Sequence, residues 1–411
     1  AGALHTTQAG SNNTAVGLNS LYMNSSGNNN VAIGYQAGFV GAAKSDNVII
    51  GYNAGYYATG SYNTFVGSQA GRGGTTSAPY SSGVSNTAIG YQALIAFTTG
   101  GSNTAVGYYS GKAITTAVQN TLVGIFSGQS LTTGGENTAF GNSALHSEDT
   151  GTRNVAIGHS AFFSTNYDGT GYNTGLGYAV GYHNVLGVSN TYLGGQAGVN
   201  ATGSYNTFIG HLAGYGGNTS APYSSGQYNT AVGYQALTGF TTAQRMVSIG
   251  YESMHNVTTG EESIAIGYQA AYYNSGSYSV SIGSYAGMTS GAGNNVSIGF
   301  RAGGSAANSN VAVGYSAIRY LAAGSENVAI GNSAGSYLLG TQTTIVGSQA
   351  GRFSSGSYNT FMGYKAGYGG TTSAPFSSGT YNVAVGHQAL DAFTTGGNNV
   401  AIGKGSGTNI T

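Results

Sequence analysis

A nine-residue pattern of apolar, small and amide positions returns 23 times along the chain: Asn-[Thr/Val]-x-[Val/Ile]-Gly-x-x-[Ala/Ser]-[Gly/Leu]. Asn30-Val31-Ala32-Ile33-Gly34-Tyr35-Gln36-Ala37-Gly38 is one full copy, and most copies begin 16 or 17 residues after the last. The residue before the motif Gly is apolar in all 23 copies, from Val16 and Ile33 to Ile402, and two positions before it stands Thr, Val or, once, Ile. Alternation at period two with β-branched side chains predicts a short strand. The expectation is that these two columns point inward together. Three residues after the Gly comes Ala or Ser in 22 of 23 copies, Val180 being the exception, as a tight inner corner requires.

A repeat of this length, sustained over nearly the whole chain, predicts an all-β fold: a parallel β-solenoid, or β-roll, of about 23 coils. Residues 1–411 read as one repeat domain. Each coil is expected to hold two short strands and two turns. Stacked strands lie about 4.8 Å apart, so 23 coils make a rod on the order of 110 Å long. The first motif position is Asn in 19 copies, departing at Met246, Ser263, Ser279 and Thr343. Such amides, one above another, predict a hydrogen-bonded ladder along the axis.

The position between the two inward columns is mostly Ala, replaced by Phe65, Leu122, Tyr192, Phe208, Ile345 and Phe361 in particular coils. On the expected orientation it faces outward. A face so poor in polar groups predicts cover by another copy of the chain, hence a homo-oligomer. Three spacings of 23 residues hold one repeated insertion, giving loops at 73–83, 216–226 and 369–379, with every Pro of the chain in them (Pro79, Pro222, Pro375). Insertions in solenoids project from one face. The aromatic beside each Pro, Tyr80, Tyr223 or Phe376, is therefore a candidate ligand contact, with packing on its own coil as the alternative. Tyr follows the motif Gly in ten coils, Tyr234, Tyr251 and Tyr268 in succession. Such a column either stacks on sugar rings or stacks on itself.

Composition narrows the functional classes. Only 20 of 411 residues carry a formal charge, ten of each sign, so nothing resembles the basic stripe of a nucleic-acid binder. No apolar run reaches the length of a membrane span. The seven His lack metal-ligand spacing, the acidic residues are too dispersed for a calcium loop, and no nucleophile stands in a recognisable triad or phosphate loop. The reading is of a protein that is not an enzyme and uses no cofactor. Gly (74 residues) is spread without the every-third-residue period of collagen. Absence of Cys is compatible with an exported protein.

Segments such as Asn30–Ala37, Asn154-Val155-Ala156-Ile157-Gly158-His159-Ser160-Ala161 and Asn327-Val328-Ala329-Ile330-Gly331-Asn332-Ser333-Ala334 resemble the head repeats of trimeric autotransporter adhesins of the YadA type, and similar repeats occur in phage tail fibres. The resemblance implies a left-handed parallel roll, three chains about one axis, an extracellular place and adhesion to surfaces, glycans or matrix. The family's head repeat is shorter than this coil. These residues also hold no counterpart of its anchor barrel or coiled-coil stalk. The expected function is an extracellular structural or adhesive fibre subunit. A viral tail-fibre segment is the runner-up, followed by a filament that stacks end to end. An ice-binding solenoid ranks lower, because it needs an outward Thr array and the Thr column is expected to point inward.

Overall fold

The computed structural model describes all residues except 1, 6–9, 42, 76, 290–291, 305–306, 321–323, 371–375, 409 and 411. Pro375 and its four preceding neighbours in the third loop thus lie outside the described residues. The chain divides into two compact units, Ala1–Asn206 and Thr207–Thr411. Each is a parallel β-solenoid. The first carries eleven three-residue strands, β1 (Thr14–Val16) to β11 (Thr191–Leu193); the second carries twelve, β12 (Thr207–Ile209) to β23 (Val400–Ile402). Within each unit every strand pairs in parallel with the next, motif position on motif position: Thr104 opposite Thr121, Ala105 opposite Leu122, Val106 opposite Val123.

Strand orientation is the reverse of the sequence expectation. In both units the middle residue of each strand is buried and its two flanks face out, apart from half-buried Ala15 in the first coil. Phe65, Leu122, Tyr192, Phe208, Ile345 and Phe361, assigned above to an outer face, are all at most 1% exposed. The Val/Ile column assigned to the interior is instead outside: Ile33 is 38%, Ile298 36% and Val16 57% exposed. Period two separates two sets of side chains but does not say which set is inside. The deciding factor is room, because the interior of so small a coil is narrow.

Size complementarity shows this. Inside each coil the middle strand residue meets the fourth residue after the motif Gly. Wherever the first is large (Ile49, Phe65, Leu122, Tyr192, Phe208, Ile345, Phe361), the second is Gly (Gly55, Gly71, Gly128, Gly198, Gly214, Gly351, Gly367). Wherever the second is large, as at Leu94, Phe162, Leu237 or Leu390, the first is small: Ala, or Ser248 in the coil of Met254. That second position is left-handed throughout (φ +51° at Leu94, +58° at Gly367), so a large residue there carries about 1–2 kcal/mol of backbone strain, offset by the volume it fills. Val180, the odd member of the Ala/Ser column, packs beside Gly175, the one Gly among the middle strand residues.

The Asn ladder forms as expected. The Asn103 backbone N–H donates to Asn86 Oδ1 at 3.1 Å, and its own Oδ1 accepts from Asn120 N–H at 3.0 Å. Its Nδ2 reaches the Ala117 carbonyl of the following coil at 2.8 Å, so the buried amide is fully used. At Ser263 and Ser279 a hydroxyl substitutes, Ser279 N–H donating to Ser263 Oγ at 3.1 Å, whereas Met246 brings no such acceptor. The expected second strand of each coil is absent as a regular element. Among the described residues that side shows only isolated bridges, such as Ala58 with Ser81 and Gln244 with Glu261. One carbonyl there collects several donors, Thr132 O accepting from the N–H groups of Thr115, Thr116 and Ala117. A backbone gathered onto one acceptor cannot run as an evenly spaced parallel ladder.

Candidate interaction surfaces

Each unit presents its strand face as a uniform surface. Its outer columns are Thr, Val or Ile on one side and Val, Ile, Leu, Phe or Met on the other, with no charged or amide residue among them. Strands of three residues at about 3.3 Å each, spaced about 4.8 Å, make β12–β23 a strip of about 600 Å² and β1–β11 one of about 500 Å². Strips of that extent exceed the scattered apolar exposure that water tolerates without consequence. The Thr column is part of this outer face, with Thr64, Thr87, Thr104, Thr121 and Thr138 in five consecutive coils. The ground on which ice binding ranked lower therefore falls.

The Tyr column lies beside the strip. Tyr234 stacks on Tyr251 with centroids 5.2 Å apart, and Tyr251 on Tyr268 at 5.1 Å. Ring faces within the ladder are occupied by each other, leaving edges and hydroxyls toward solvent. The hydrogen bond to the neighbouring Glu252 raises the Tyr251 phenol above its ordinary range.

The aromatics of the first and third loops pack on preceding coils. Tyr80 stacks on Tyr57 at 6.1 Å, and Phe376 lies 5.0 Å from Tyr337. Tyr223 is half-buried in a loop tied by Asn218 Nδ2 to the Pro222 carbonyl. Each loop is fastened to the following coil in the same way: Gly74, Gly217 and Gly370 N–H groups donate to the carbonyls of Phe97, Phe240 and Phe393. Those Phe rings pack against Phe65, Phe208 and Phe361 at 5.6–5.7 Å. The loop-bearing super-repeat is thus a buried Phe pair spanning two coils. The six candidate residues fall into separate places, three in a Tyr ladder and one in each loop, and converge on no common site.

Two buried ionisable groups were missed in the sequence. Lys44 is 1% exposed and fills the one coil whose inward positions are Ala32, Gly38 and Gly41. Its ammonium donates to the carbonyls of Gly38 and Val40, both at 2.7 Å. Burial pulls its pKa down to about 7. Glu148 occupies the inward position held by Phe97 or Leu131 in other coils and accepts from Gly151 N–H at 2.7 Å. Burial raises its pKa. The signal for Lys44 was present, since nearly every other copy has Gly or Ala three residues before the motif Asn.

Fold and surfaces define a class, parallel β-solenoid repeat proteins, here with an uncharged strand face on each unit. No family model matches the chain, and no curated protein matches it.

Proposed function

We propose that this chain is an extracellular fibre subunit, structural first and adhesive second, and that it is not an enzyme. The observation that carries the reading is the uncharged strand face. Two strips of about 600 Å² facing each other bury about 1,200 Å², above the roughly 1,000 Å² that a specific interface requires. A second copy of this chain offers such a strip, uncharged and of the same width. The homo-oligomer expected from the Ala column is thus retained, but through the opposite face. The YadA-type resemblance favours three copies in one assembly.

Sedimentation velocity tests this. The wild-type chain sediments as an oligomer, and Ile249→Lys/Ile266→Lys/Ile282→Lys as a monomer with its far-UV circular dichroism unchanged. An oligomer that survives the triple substitution overturns the reading. The consecutive outward Thr residues support a second reading, ice binding. A monomeric wild-type chain that inhibits ice recrystallisation would put it first.

A further inference from the structure

A different face of the second unit holds a notch lined by Tyr285, Met288, Thr289, Arg301, Gly304, Arg319 and Tyr320, with a volume of about 360 Å³. Its cause is a gap in a column of side chains. The fifth residue after the motif Gly is Tyr272, Met288, Gly304 and Arg319 in four successive coils, so Gly304 leaves an empty step between Met288 and Arg319. Arg301 borders the gap, its guanidinium 5.4 Å from the Tyr285 ring and 5.0 Å from the Phe300 ring. Arg319 lies 4.4 Å from the Tyr320 ring.

Charge makes the notch unusual. Between Glu262 and Glu326 the only charged residues are Arg301 and Arg319, and both line this cavity. Among the described residues the ion pairs belong to Arg153 and Arg245, so neither notch guanidinium is matched by a carboxylate. Held against aromatic rings, each keeps its planar donor fork for an oxyanion.

We infer that this notch is a binding site for an acidic sugar residue, one bearing a carboxylate or a sulfate. The guanidinium pair takes the anionic group. Tyr285, Met288 and Tyr320 supply apolar walls for the ring, and the volume lies at the small end of ligand pockets. Long polyanions such as nucleic acid are a poor match for two isolated cations. The inference gives a ligand class to the adhesive half of the function proposed above and does not depend on self-association.

Isothermal titration of the full chain tests it with three tetrasaccharides: a heparin-type sulfated one, a carboxylated galacturonate one and neutral maltotetraose. One or both acidic probes bind, and maltotetraose does not. Which acidic probe binds more tightly identifies the anionic group. Arg301→Gln and Arg319→Gln each weaken binding at least tenfold, whereas Lys365→Gln, an equal loss of charge elsewhere in the unit, leaves it unchanged. Unaltered circular dichroism of each variant keeps the comparison valid. Equal weakening by Lys365→Gln, equal binding of maltotetraose, or no binding of either acidic probe at millimolar concentration would overturn the assignment. Because sedimentation is scored separately, its outcome and this one are independent.

Discussion

Replacing Phe361 by Ala removes a fully buried ring that packs on Phe393, and such truncations cost about 3–5 kcal/mol. Gly367→Leu alone is also destabilising, since a Cβ at that position overlaps the Phe361 ring and the residue sits at φ +58°. Combined, the two substitutions recreate the arrangement native to the next coil, where Ala384 faces Leu390 at φ +53°. Leu fills much of the vacated space, and the left-handed strain of about 1–2 kcal/mol remains. The double variant should therefore be more stable than either single one, with a favourable coupling of about 2 kcal/mol or more. Repeat arrays do not unfold in one step, so the readout is local. Hydrogen exchange of the β21 (Thr360–Met362) and β22 (Val383–Val385) amides reports opening of the affected coils. Additive effects would refute the claim that these two columns share one volume.

Two further predictions concern buried charge. Lys44 in the folded chain binds its proton less tightly than in the unfolded chain, with a folded pKa of about 7. Protection of the Val31 and Val48 amides should thus rise as pH climbs from about 7 toward the ordinary lysine value, and Lys44→Met should abolish that rise. Glu148 has the opposite sign for a carboxyl: its raised folded pKa stabilises the fold below the unfolded value of about 4.3 and withdraws that support as pH rises. Glu148→Gln should therefore slow exchange around Gly151 at pH 7 and change it little at pH 4. In the Asn ladder, Asn103→Ala leaves the Asn120 N–H without its acceptor and should cost about 1–3 kcal/mol locally. Asn103→Ser should cost less, following Ser263.

The repeat made the strands, their parallel register and the Asn ladder readable in advance, because each rests on one residue type at one recurring place. The faces were not readable from alternation, since Thr64-Phe65-Val66 alternates equally well with either set inside. The pairing of Phe65 with Gly71, and of Ala88 with Leu94, held the missing information. Side chains that vary in compensation must share a volume, whereas Val and Ile before the motif Gly vary freely. The second strand failed for a different reason: Gly, Ser and Thr on that side mark where the chain passes, but the convergence of donors on Thr132 O is a backbone property. Lys44 was readable as a departure from Gly or Ala three residues before the motif Asn, whereas the Gly304 notch was hidden because it depends on a side chain missing between Met288 and Arg319 of the adjacent coils.

Photocrosslinking tests the central claim, that the bare strand face meets a second copy of this chain, most directly. A p-benzoylphenylalanine replaces Ile266 on the outer face and, in a separate sample, exposed Thr242 on the turn side. Covalent oligomers of this chain are expected from position 266 and none from position 242. Monomer alone from position 266, or equal crosslinking from both positions, would contradict it.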